Sequence, residues 1–149
     1  MNINSDEHFM RLALNEAKQA EAEDEVPIGA VIVANGKVIG KGYNQTERLK
    51  DVTAHAEMLA ITAAANYLDA KFLETCTLYV TLEPCPMCAA ALRWARIGKI
   101  VYAAPDEKLG YSTISTKLLH PKTELQTGVL QHECATLITN FFKQKRTQK

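Results

Sequence analysis

The chain has 149 residues, 17 basic against 17 acidic side chains, a formal net charge of zero, and 47% hydrophobic content. That length suits one compact domain, read as residues 1–149, and that apolar content excludes a disordered chain. Zero net charge excludes a molecule drawn to nucleic acid by its overall field, so any such contact needs a local patch such as Lys143, Lys145, Arg146 and Lys149.

The N-terminus has no basic region followed by an apolar run, and no stretch suits a bilayer span, so the expected compartment is cytoplasmic, with no membrane partner. Four cysteines there read as metal ligands or buried thiols, not as a disulfide framework. Asn4 followed by Glu7 predicts a capping box, after which Phe9, Leu12, Ala13, Ala17 and Ala20 share a helical face. That helix is expected to fade in the acidic run before Pro27. Residues 28–34 are β-rich, Asn35-Gly36 signals a type I′ turn, and residues 37–43 return as the second arm of a hairpin.

Asn44 ends the hairpin and reads either as a turn residue or as an amide that contacts a sugar or base. Residues 45–53 read as loop, and a helix starts near His55. Residues 78–82 form a third strand. The chain turns at Glu83-Pro84 into a helix with Pro86 at its first position, continuing through Trp94 and stopping near Gly98. Trp94 is expected in the core or at a subunit interface. Residues 100–103 make a fourth strand, and strand-helix-strand spacing makes strands three and four parallel. Residues 105–127 are expected to hold a short helical turn and a fifth strand. A last amphipathic helix covers about 131–145. The fold class is α/β: a three-layer α/β/α sandwich over a mixed five-stranded sheet.

The chemistry concentrates in His55-Ala56-Glu57 and Pro84-Cys85-Pro86-Met87-Cys88. One imidazole and two thiols suit zinc, and three protein ligands leave a position open for water, as catalytic sites do. Cys85 and Cys88 are three apart at a helix start, where the partial positive charge favours thiolates. Zinc lowers the pKa of bound water toward about 7, and Glu57, beside the ligand His55, is placed to shuttle protons. Two duller readings stand beside this one. Cys85 and Cys88 form a redox pair, which leaves His55 and Glu57 without a task. Alternatively the zinc is structural, closed by Cys76, Cys134, His120 or His132. Cys76 and Cys134 read as small buried residues, and the remaining histidines as surface or packing residues.

The pattern H-x-E…P-C-x-x-C resembles that of the zinc nucleobase deaminases. Val26-Pro27-Ile28-Gly29-Ala30-Val31, Thr53-Ala54-His55-Ala56-Glu57, Thr81-Leu82-Glu83-Pro84-Cys85-Pro86-Met87-Cys88 and Phe141-Phe142-Lys143 resemble more narrowly the bacterial tRNA-specific adenosine deaminases, of cytidine-deaminase-like fold. The resemblance implies zinc on His55, Cys85 and Cys88, with Glu57 as catalytic proton shuttle. It implies Asn44, Val26 and Pro27 at the target nucleotide, and Phe142, Lys143 and Arg146 at a tRNA anticodon loop. It also implies a homodimer and conversion of a wobble adenosine to inosine. The run Asp106-Glu107-Lys108-Leu109-Gly110-Tyr111-Ser112 departs from the family's small-residue segment. That departure, with the neutral charge, keeps deamination of a free nucleobase or nucleoside (guanine, cytosine or adenosine) as the rival. A non-catalytic zinc module that binds nucleic acid is the rival of another class; it gives Glu57 no purpose.

Overall fold

The computed structural model describes residues 5–147. Five strands, β1 (Gly29–Ala34), β2 (Lys37–Tyr43), β3 (Thr77–Leu82), β4 (Lys99–Ala104) and β5 (Glu124–Thr127), lie in the order β2-β1-β3-β4-β5. β1 pairs antiparallel with β2 and β3; β3 with β4, and β4 with β5, are parallel. Four helices complete the sandwich: α1 (Asp6–Ala22), α2 (Ala56–Leu68), α3 (Pro86–Trp94) and α4 (Gln131–Thr147).

Strand alternation sorts side chains into two cores. Ala30, Ile32, Leu78, Val80 and Ile100 pack against α2 and α3, where Ala60, Ala64, Ala89 and Leu92 are buried. Val31, Val33, Tyr79, Val101 and Ala103 pack against Phe9, Met10, Ala13 and Leu14 of α1 and Cys134 of α4. Small residues let α2 lie close on the sheet. A Cβ at Gly42 would sit 2.6 Å from the Ala56 carbonyl oxygen at the start of α2, so the hairpin fixes where that helix begins. Asn35 (φ 52°) and Gly36 (φ 74°) form the left-handed pair that a type I′ turn needs.

Three expectations need correction. Asn4 lies outside the described residues, and the N-cap of α1 is Ser5, whose hydroxyl accepts from the His8 N–H at 3.1 Å. Shifting the cap by one residue puts His8, not Glu7, at the capping-box position. α3 ends at Trp94 because Arg96 adopts the left-handed conformation (φ 54°), with Ile97 N–H bonded to the Leu92 carbonyl and Arg96 N–H to that of Arg93. Trp94 is 81% exposed, which removes the core reading and leaves the interface one. Between β4 and β5 lie two short 3₁₀ turns, Tyr111–Thr113 and Thr116–Leu118.

Candidate active site

His55 and Cys85 are the N-cap residues of α2 and α3, in extended backbone, and neither side chain caps its own helix. Cys88 is the third residue of α3 and Glu57 the second of α2. Two helix N-termini therefore converge on the group, and their partial positive charge favours thiolate and hydroxide. The parallel pair β3–β4 ends at the same edge, where open α/β sheets hold their ligands.

His55 Nδ1 lies 3.6 Å from Cys85 Sγ and 3.5 Å from Cys88 Sγ. Zinc with bonds of about 2.3 Å to sulfur and about 2.0–2.1 Å to nitrogen, in tetrahedral geometry, holds such atoms roughly 3.5–3.8 Å apart. The distances and the donor types both fit zinc. Among the described residues this is the one group of three or more His, Cys, Asp or Glu side chains able to hold a metal. Cys76 and Cys134, each 1% exposed, sit in the two cores, and no histidine joins as a fourth ligand. All four cysteines are free thiols.

A hydrogen bond from the Cys88 thiol, then one from His55, pulls Cys85 down to about 4. The same sulfur–sulfur bond, with burial, pushes Cys88 up. The pair thus holds one thiolate and one thiol, and metal binding displaces the remaining thiol proton. The hydrogen bond to Cys85 raises the His55 imidazole. Glu57 is 4% exposed, and burial pushes its carboxyl up to about 7.

A cavity of about 980 Å³ opens at this edge of the sheet. His55, Asn44 and Val26 line it, as do residues 106–109 and, from α4, Phe142, Lys145 and Arg146. Of the four residues in the His/Glu/Cys group, His55 alone reaches the cavity lining. Asn44 follows β2, is 6% exposed, and donates its backbone N–H to the Ile28 carbonyl at 3.1 Å. Its side-chain Oδ1 has no hydrogen-bond partner among the described residues. A buried acceptor left in that state is a docking point for a donor from outside.

Pro27 is buried but outside the lining, and Lys143 is exposed outside it. The second lies at the flank of the α4 face that meets the cavity, four residues after Thr139 and three before Arg146. Ala135, Ile138, Thr139, Phe142, Lys145 and Arg146 recur at three- and four-residue steps and face the cavity together, with position 143 at the margin of that stripe and outside the lining. That spacing is the signal that would have found Lys145. Phe142 is 43% exposed and meets Phe141 edge-to-face at 5.4 Å. Lys145 Nζ is paired with Asp24 Oδ1 at 2.5 Å, whereas Arg146 makes no ion pair among the described residues.

Thr46, also unanticipated, reaches the cavity because Glu25 anchors its loop. Glu25 is 1% exposed, and its carboxylate accepts the N–H groups of Glu47 at 3.1 Å and Arg48 at 2.7 Å. Asp24 in the left-handed conformation (φ 61°) closes α1 just before it.

The family model for the cytidine and deoxycytidylate deaminase zinc-binding region matches residues 3–104. The tRNA-specific adenosine deaminase of Aquifex aeolicus is 45% identical over 145 residues, covering 94% of this chain and 95% of the relative. A solved structure concerning A-to-I editing by tRNA:A34 deaminases at the wobble position is 44% identical, with a TM-score of 0.81 over 87% of this chain and 98% of the other. Guanine deaminase from Bacillus subtilis is 38% identical, with a TM-score of 0.66 over 77% of each chain.

Proposed function

Since this chain belongs to the family of cytidine and deoxycytidylate deaminase zinc-binding domains, we propose that it converts the wobble adenosine of a tRNA anticodon to inosine. It is a zinc-dependent hydrolytic deaminase. The observation that carries the substrate reading is the cavity. At about 980 Å³ it lies at the top of the range for small-ligand pockets, and it runs from His55 to Arg146 and the half-exposed Phe142 of α4. A lone base would leave most of that space unused. A flipped nucleotide with its neighbours would use it, with Arg146 on a phosphate and Phe142 against a base.

His55 Nδ1, Cys85 and Cys88 would hold the zinc, which supplies a water acidified to near neutrality. Glu57 is the proton carrier. It would carry one proton of the attacking water to the ring nitrogen beside C6 and the second to the exocyclic amino group, so that the C6–O bond forms, the C6–N bond breaks and ammonia leaves. Burial raises the Glu57 carboxyl above the usual carboxylate range, which favours its holding and passing on a proton. The Asn44 Oδ1 accepts a hydrogen bond from the incoming nucleotide, and Val26 provides apolar contact to its base.

The chain is further read as a single domain, residues 1–149, acting as a cytoplasmic homodimer. The 81% exposure of Trp94 supports the dimer, and light scattering on the purified protein tests it. Among the described residues, no helix is long and apolar enough to cross a membrane. The rival, a deaminase of a free nucleobase or nucleoside, is favoured by the even balance of 17 basic and 17 acidic side chains. Mass spectrometry of an anticodon stem-loop tests the first reading. Adenosine at the wobble position should become inosine, and adenosines elsewhere in the loop should not.

A further inference from the structure

Glu83 sits between the last residue of β3 and the Pro84-Cys85 turn, is 4% exposed, and is not part of the His55, Cys85 and Cys88 group. Oε1 accepts the Asp106 N–H at 3.1 Å. Oε2 accepts the Ser112 N–H at 3.0 Å and the Ser112 hydroxyl at 2.7 Å. The segment it grips is otherwise held at its far end, where the Tyr111 side chain, 2% exposed, is buried in the core. β4 ends at Ala104, and beyond the Tyr111 N–H, which donates to the Pro84 carbonyl at 2.9 Å, the backbone bonds of this segment run within itself. Asp106 Oδ1 accepts the Lys108 and Leu109 N–H groups, and Gly110 N–H donates to the Asp106 carbonyl. Gly110 is what lets the carboxylate enter, because a Cβ there would fall 2.3 Å from both Glu83 Cδ and Oε2. Residues 106–109 are a wall of the cavity.

We propose that Glu83 is a positioning residue, latching the 106–109 wall to the turn that carries Cys85 and so setting how tightly substrate is held. The proposal rests on the reading of this cavity as the substrate site. A buried carboxylate is suited to the task because it accepts several N–H and O–H donors at once, and charge-assisted bonds are about twice as strong as neutral ones. A glutamine in its place turns an N–H₂ group toward N–H donors, so the wall comes loose while the Pro84-Cys85 backbone is unchanged.

The test compares the zinc-loaded parent with Glu83→Gln, Ser112→Ala and Ser112→Thr. Three readouts are taken: zinc per chain, hydrogen exchange of the 106–112 amides, and KM and kcat on an anticodon stem-loop. Glu83→Gln is expected to keep its zinc, to exchange the Asp106 and Ser112 amides at least about tenfold faster, and to raise KM about tenfold while kcat changes by less than about threefold. Ser112→Ala should move exchange and KM in the same direction by about threefold, and Ser112→Thr, which keeps the hydroxyl, should match the parent. Unchanged exchange in Glu83→Gln overturns the latch. So does loss of zinc and kcat with KM unmoved, or a Ser112→Thr as impaired as Ser112→Ala. If Glu83→Gln does not fold, the exposed Ser112 pair decides alone. If the parent ignores the stem-loop, the substrate reading falls, and the exchange rates still decide whether the latch exists.

Discussion

His55 and Cys85 hold the same position on two different helices: each is an N-cap, neither caps its own helix, and His55 Nδ1 lies 3.6 Å from Cys85 Sγ. A side chain that capped its helix would turn toward the N–H groups of the first turn. Both side chains instead turn toward each other and leave those N–H dipoles directed at the site. Local helix stability is given up for a metal-binding geometry.

The metal is expected at about one zinc per chain, measured by inductively coupled plasma mass spectrometry. Cys88→Ala and His55→Ala should lose it together with activity. Stripping the parent with a chelator should abolish turnover and lower the thermal midpoint, and stoichiometric zinc should restore both, because an ion that binds only the folded chain stabilises it. A Cys88→Ala protein that keeps full zinc would place the metal elsewhere.

Glu57→Gln removes the proton carrier but keeps the shape of α2. Zinc content and fold should be retained while kcat falls by at least about a hundredfold, since positioned proton transfer is typically worth 10²–10⁴. Near-parental kcat in a zinc-replete variant would assign the proton transfer to another group.

Asn44→Ala should separate binding from stability. The buried Oδ1 has no partner to lose, so the thermal midpoint should move little, whereas kcat/KM on a nucleotide substrate should drop about ten- to a hundredfold. A large loss of stability with unchanged kcat/KM would make Asn44 a structural residue.

The residues that carry chemistry could be read from the sequence because metal ligation demands particular residue types at particular spacing. His55, Cys85 and Cys88 meet as that spacing requires, and the hairpin over Asn35-Gly36 forms because its turn needs two left-handed residues. Helix ends were less legible. α1 and α3 stop in turns whose left-handed residues are Asp24 and Arg96, not glycines, so the stop comes from the tertiary packing of Glu25 and Ile97 just beyond. The cavity wall was hidden for a related reason. Residues 106–109 carry no periodicity, and the carboxylate bonded to the Asp106 N–H belongs to Glu83, twenty-three residues earlier and just past the end of β3. Composition marked the basic tail, but helical phase decides which of its charges reaches the site.

That phase makes a prediction. Arg146→Ala should weaken stem-loop binding and reduce the slope of log K against log salt by about one, as expected for one lost phosphate contact. Lys143→Ala, at the flank of that face and outside the cavity lining, should change neither. Equal effects from the two substitutions would mean that the tail acts as a diffuse charge and not through the cavity.

The most direct measurement is ammonia release by the zinc-loaded protein, assayed side by side on an anticodon stem-loop with a wobble adenosine and on free guanine, cytosine, cytidine and adenosine. A wobble-adenosine deaminase releases ammonia from the stem-loop, with inosine at that one position, and leaves the free compounds untouched. Turnover of a free base with no reaction on the stem-loop would contradict it and make the chain a deaminase of small substrates.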